Sequence, residues 1–119
     1  MTHICDMAVI TCIDFRFQKM ITDWLAENYS GKTFDRISIA GSSKNLDFVI
    51  KQVDISVRLH HIKEVFVIHH EECGAYGLES TLEKHTQDLQ KTKTEILKKY
   101  PELSVSLYYL QLDGKFQKI

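Results

Sequence analysis

Two short stretches of this sequence carry side chains whose chemistry calls for a common partner: Cys12-Ile13-Asp14-Phe15-Arg16 and His70-Glu71-Glu72-Cys73-Gly74. Thiolate and neutral imidazole are the donors zinc prefers, and two Cys with one His leave a fourth tetrahedral position open to water or substrate. An open position marks a catalytic site, so Cys12, His70 and Cys73 are candidate metal ligands. Structural zinc knuckles take their ligands from closely spaced pairs, whereas here one ligand lies far upstream of the other two. Each stretch follows directly on an apolar, β-branched run, residues 7–13 in one case and 65–68 in the other, which puts both at strand ends. The plainer alternative is two buried thiols and an unrelated histidine.

The elements that must bring these strand ends together can be read in order. Residues 7–13 run apolar almost without alternation, as a strand buried on both faces does. Phe17, Met20, Ile21, Trp24 and Leu25 then share one helical stripe that reaches about Tyr29, with Ser30-Gly31 as the stop. A second strand, 34–40, ends in Ala40-Gly41-Ser42-Ser43, where small residues permit a tight turn and close approach of backbone to a neighbour. Ser42 or Ser43 is predicted to cap the next helix, which carries Leu46, Val49, Ile50, Val53 and Val57 and runs to about His60.

Residues 64–70 form the third strand, followed by a long helix predicted from about Tyr76 to Tyr100 with Leu78, Leu82, Leu89, Ile96 and Leu97 on its apolar side. Its middle is polar apart from Leu89, which predicts a solvated or broken segment with His85 on the wet face. Residues 103–112 form a fourth strand, and Asp113-Gly114 is a turn before a short tail, 116–119, suited to an antiparallel edge strand. The alternation predicts an α/β fold: a doubly wound, mainly parallel sheet of order 2-1-3-4. In that order the first and third strands are neighbours at the topological switch point, and Cys12 meets His70 and Cys73 there.

The 119 residues, 44% of them apolar, suit one domain spanning 1–119. A net charge of −1 with Lys and Glu interspersed offers no basic stripe for nucleic acid, and no apolar run is long enough to span a bilayer. The first residues have neither a basic leader nor a cleavable apolar segment, which predicts a cytoplasmic protein. Three cysteines fit reduced thiols better than a disulfide framework, with Cys5 read as an inert, partly buried thiol.

These motifs resemble the β-class carbonic anhydrases. The family's Cys-x-Asp-x-Arg motif is present as Cys12, Asp14 and Arg16, and its His-x-x-Cys-Gly motif as His70, Cys73 and Gly74. Ala40-Gly41 resembles the family's small-residue turn, and residues 107–115 resemble its final core strand and turn. The resemblance implies Zn2+ held by Cys12, His70 and Cys73, with Asp14 and Arg16 as a catalytic dyad beside the open position. It implies reversible hydration of carbon dioxide to bicarbonate by a zinc-bound hydroxide, with Asp14 orienting the bound water and Arg16 holding Asp14 ionised. Cys73, placed just before a helix, is expected to be a ready thiolate. In some members the Asp swings onto zinc and closes the site; Asp14 is the counterpart here.

Departures from the family pattern are His69 where Gly commonly precedes the ligand His, Glu71-Glu72 between His and Cys, Ser38-Ile39 where an Arg-Asn pair commonly stands, and no counterpart of the N-terminal helical arm. The resemblance also implies a homodimer or a dimer of dimers covering the bare edge, with Phe15, Phe17 and Tyr76 as candidate pocket lining. Two further readings stand beside the hydratase. One turns the same chemistry on another small linear molecule such as carbonyl sulfide or carbon disulfide. The other is a zinc-binding relative without activity, its metal closed by Asp14, and for Asp14 and Arg16 taken alone a strand-end ion pair suffices.

Overall fold

In the computed structural model, which describes residues 2–119, the strands are β1 (Met7–Thr11), β2 (Phe34–Ser38), β3 (Glu64–His70), β4 (Ser104–Leu110) and β5 (Phe116–Lys118). They are joined by α1 (Gln18–Asn28), α2 (Leu46–His60) and α3 (Leu82–Lys99). The sheet order is β2-β1-β3-β4-β5, parallel throughout except for the antiparallel β4–β5 pair at the edge. The doubly wound order and the edge strand predicted from the sequence are both present.

Strand side chains alternate between faces, so the central strands are buried on both sides and feed two separate cores. One face sets Ala8, Ile10, Val65, Val67, Val105 and Leu107 against Val49 and Val53 of α2 and Leu89 and Ile96 of α3. The other sets Met7, Val9, Phe66, Ile68, Tyr108 and Leu110 against Phe17, Ile21 and Leu25. On this second face Trp24 stacks on Phe116 at 4.2 Å, the core-filling role predicted for it. No helix among the described residues is long and apolar enough to cross a membrane.

Three local expectations are corrected. The N-cap of α2 is Asn45, whose side chain accepts from the Phe48 N–H, because Ser42 and Ser43 are drawn into a buried 3-10 turn. The third helix starts at Leu82 rather than near Tyr76: a separate 3-10 turn, Gly77–Glu79, intervenes, and Thr81 caps the helix proper by accepting from the Lys84 N–H. Leu78 is consequently fully exposed. Finally, α3 is unbroken and its middle is not wholly solvated, since His85 and Thr92 are as buried as Leu89 and Ile96.

Candidate metal centre

β1 and β3 pair in parallel up to Ile10 and Val67, so the chain leaving each strand enters the same space above the sheet's C-terminal edge. Cys12 directly follows β1, and His70 ends β3. Beyond it a turn with Glu72 in the left-handed region (φ 55) folds Cys73 back. The ligand atoms of Cys12, His70 and Cys73 lie within 4.8 Å of one another, and all three residues are buried.

The imidazole is already set for a metal. His70 Nδ1 lies 2.7 Å from the Glu71 carbonyl oxygen. A carbonyl only accepts, so Nδ1 carries a proton and, in the neutral ring, Nε2 presents a bare lone pair. That Nε2 is buried with no hydrogen-bond partner. Leaving such an atom unsatisfied costs about 1–3 kcal/mol, and a cation among the three donors would satisfy it. The phenyl ring of Phe17, 4.3 Å from the His70 ring, packs the imidazole in place.

The two thiols divide the charge between them. Hydrogen bonding from Cys73 draws the Cys12 thiol down to about 3 despite burial, and the Gly41 N–H, 3.4 Å from its Sγ, helps. Cys73 is pushed up by the same contact and by burial, since two adjacent thiolates repel unless a cation lies between them. The expected ready thiolate at Cys73 is therefore corrected: α3 begins well beyond it and offers no helix terminus. Gly41 earns its place by shape, because its φ is +81 and a Cβ there would come 3.0 Å from Lys44 Cβ and 3.1 Å from Ala75 Cβ.

Beside the triad, Asp14 and Arg16 clasp each other. Asp14 Oδ1 accepts from the Arg16 backbone N–H at 2.9 Å and from Nε at 3.1 Å, while Oδ2 accepts from Nη2 at 2.8 Å. The guanidinium holds the Asp14 carboxyl below the usual carboxylate range. Oδ2 stands 3.8 Å from His70 Nε2. Arg16 also donates to the Glu72 carbonyl at 3.0 Å and approaches its carboxylate at 3.5 Å, stapling the β1 half of the site to the β3 half. Gln18 pins the intervening turn by donating to the carbonyls of Cys12 and Asp14 at 3.0 and 2.8 Å.

Residues 2–119 match the family model described as "Putative carbonic anhydrase". The chain belongs to the β-carbonic-anhydrase-like family. An uncharacterized protein of Rickettsia bellii (strain RML369-C) is 28% identical over 93% of this chain and 79% of its own length. Among solved structures, the β-carbonic anhydrase isoform I of Trichomonas vaginalis superposes with a TM-score of 0.61 at 17% identity, covering 99% of this chain and 84% of that one. One of two tetrameric β-carbonic anhydrases of Sordaria macrospora gives 0.60 at 11% identity, covering 98% and 81%. At these identities the likeness to the solved structures is one of fold.

In this β-carbonic-anhydrase-like chain the fold brings together all five residues singled out in the sequence. Of the three suggested lining residues, Phe17 and Tyr76 touch the triad and Phe15 points to solvent. Phe15 is 86% exposed, Phe17 belongs to the α1 core, and Tyr76 packs on Cys12 and Cys73 with its hydroxyl on Asp88. The two departures between His70 and Cys73 have structural employment: the Glu71 carboxylate accepts from the Leu112 N–H, and Glu72 receives Arg16. Sequence reasoning missed Gln18, Ser43, His69, Ser80 and His85. For His85 the signal was present, because Leu82, His85, Leu89, Thr92 and Ile96 recur at alternating spacings of three and four, the stripe of a helix face turned inward.

Proposed function

We propose that this protein reversibly hydrates carbon dioxide to bicarbonate with Zn2+ held by Cys12, His70 and Cys73. The observation that carries this reading is the buried, partnerless Nε2 of His70, facing two thiols beside a carboxylate held by arginine. When bound, zinc would supply Lewis-acid activation of a water, bringing its ionisation toward neutral pH. Asp14 then has the role of accepting that water's hydrogen bond and orienting it, with Oδ2 next to the triad and both carboxylate oxygens held by Arg16. Arg16 keeps Asp14 ionised and off the metal, and Phe17 keeps solvent from the back of the His70 ring. The Gly41 N–H steadies the Cys12 thiolate.

A second reading is favoured by one distance. With Oδ2 3.8 Å from His70 Nε2, Asp14 is close enough to serve as a fourth ligand, which would make the site closed and structural. Metal analysis with stopped-flow carbon dioxide hydration across pH separates the two: zinc with activity supports the hydratase, and a full complement of zinc with no activity at any pH supports the closed site. Absence of zinc in protein purified without chelators overturns both. Self-association belongs to the same proposal. Ile13, Phe15 and Leu78 are 57%, 86% and 105% exposed near the site, an apolar rim that a second copy would cover.

A further inference from the structure

A run of buried polar side chains lies on the side of the triad away from Asp14, and the chemistry proposed above uses none of it. The Cys73 backbone N–H donates to Ser80 Oγ at 2.9 Å, and Ser80 Oγ lies 3.0 Å from His85 Nε2. His85 Nδ1 faces His69 Nδ1 at 2.8 Å, and His69 Nε2 faces Ser43 Oγ at 2.6 Å. Thr92 Oγ1 stands 2.8 Å from both Ser43 Oγ and the Asp88 carbonyl oxygen. Ser43, His69, His85 and Thr92 are each at most 3% exposed, so water cannot substitute for a missing partner.

The two ends of this run fix its sense. A backbone N–H can only donate, and a carbonyl can only accept. Between them stand three hydroxyls and two imidazoles, each of which, when neutral, has one hydrogen to give and can accept. At one end Thr92 donates to Ser43, and at the other the Ser80 oxygen, with two lone pairs, accepts from the Cys73 amide and from His85 Nε2, the hydrogen of the partly exposed Ser80 being left to solvent. Ser43 then donates to His69 Nε2, His69 from Nδ1 to His85 Nδ1, and His85 from Nε2 to Ser80. The opposite sense would need Ser43 to donate to Thr92, whereas Thr92 is the donor of that pair. Burial keeps both rings neutral, holding His69 down to about 3 and His85 to about 4.

We infer that Ser80, His85, His69, Ser43 and Thr92 form one directed hydrogen-bond chain that positions Cys73 as a ligand, with His85 as the Nε2–H tautomer and His69 as the Nδ1–H tautomer. The chain ties the Cys73 turn to β3 through His69, to α3 through His85 and Thr92, and to the turn before α2 through Ser43. It is not a route for the reaction's proton: it ends at the Cys73 amide, and none of its members contacts Asp14 or Arg16. Outer partners of this kind typically govern metal affinity by about 10- to 100-fold.

The inference rests on the metal-site reading only for its consequence, and two measurements keep the parts separate. Imidazole 15N–1H correlation spectra of the full chain, zinc-free and zinc-loaded, are expected to show the Nε2–H tautomer for His85 and the Nδ1–H tautomer for His69 in both. Reversed tautomers, or a cationic ring at neutral pH, overturn the directed chain whether or not zinc binds. Ser80→Ala removes only the link between Cys73 and His85. Chelator competition should show zinc affinity at least about 10-fold weaker with unchanged circular dichroism, and Ser80→Thr, which keeps the hydroxyl, should restore it. Unchanged affinity in Ser80→Ala, or no recovery in Ser80→Thr, overturns the positioning role. A wild-type chain that binds no zinc overturns the metal site itself.

Discussion

The candidate metal triad has a wet side and a dry side, built from opposite kinds of contact. On the wet side Asp14, Arg16 and Glu72 are charged and solvent-reached, with side-chain exposures of 17%, 35% and 65%. On the dry side Ser43, His69, His85 and Thr92 are neutral and sealed. Charges in water are adjustable and individually weak, whereas a sealed neutral chain tolerates no missing partner. On the proposed reading the difference is a division of labour: the dry side sets where the metal ligands would stand, and the wet side acts at the position they would leave open.

The triad itself should give the largest effect, because both sides depend on it. Cys12→Ser, His70→Ala and Cys73→Ser should each lose stoichiometric zinc and lower the thermal midpoint, since metal binding is coupled to folding. Metal analysis and calorimetry check this, and any one variant that kept full zinc would remove its residue from the ligand set. Next comes the wet side. Arg16→Ala should keep zinc yet lose at least about 100-fold in carbon dioxide hydration, because Asp14 loses the partner that holds it ionised and aimed. Loss of zinc to the same degree as in Cys12→Ser would show that the two sides are not separable.

The dry side should register in stability and its pH dependence. His85→Leu orphans His69 Nδ1 and takes a donor from the Ser80 oxygen, so urea unfolding should show a loss of about 1–3 kcal/mol. The sign with pH follows from His85 being held down to about 4 when folded, against 6.5 for a free imidazole. Below pH 6.5 the unfolded chain takes a proton that the folded chain refuses. Stability due to this ring is therefore complete above 6.5 and falls by up to about 1.4 kcal/mol per pH unit on acidification toward 4. His85→Gln should lack that share of the slope, and equal slopes in the two proteins would place a charged imidazole in the core. The smallest effect is expected at the outermost wet-side residue. Glu72→Gln keeps the carbonyl that receives Arg16, so hydration should change by no more than about fivefold and zinc content not at all.

Several features were legible in the sequence because they depend on local pattern. Apolar runs, turn residues and two motifs at strand ends were enough for the element order, the 2-1-3-4 sheet and the meeting of Cys12 with His70 and Cys73, since handedness and strand alternation leave few other ways to close an α/β sheet. The close approach at Gly41 was legible too, as a place where a side chain would not fit.

What only the tertiary structure decided was the fate of polar residues, and the reason is physical. A histidine or threonine is stable in a core only if its partners arrive from other elements. His85 reads as solvated by composition, yet it is sealed because Ser80 and His69 bond to it from other parts of the chain, with Ser43 and Thr92 continuing the run beyond His69. The start of α3 at Leu82 and the raised Cys73 thiol have the same origin: both depend on which groups the folded chain places next to each other. The sequence by itself determined which residues can bind a metal and where the strands run. The packed chain alone decided which hydrogen bonds hold those residues, because a hydrogen bond between elements has no periodicity to read.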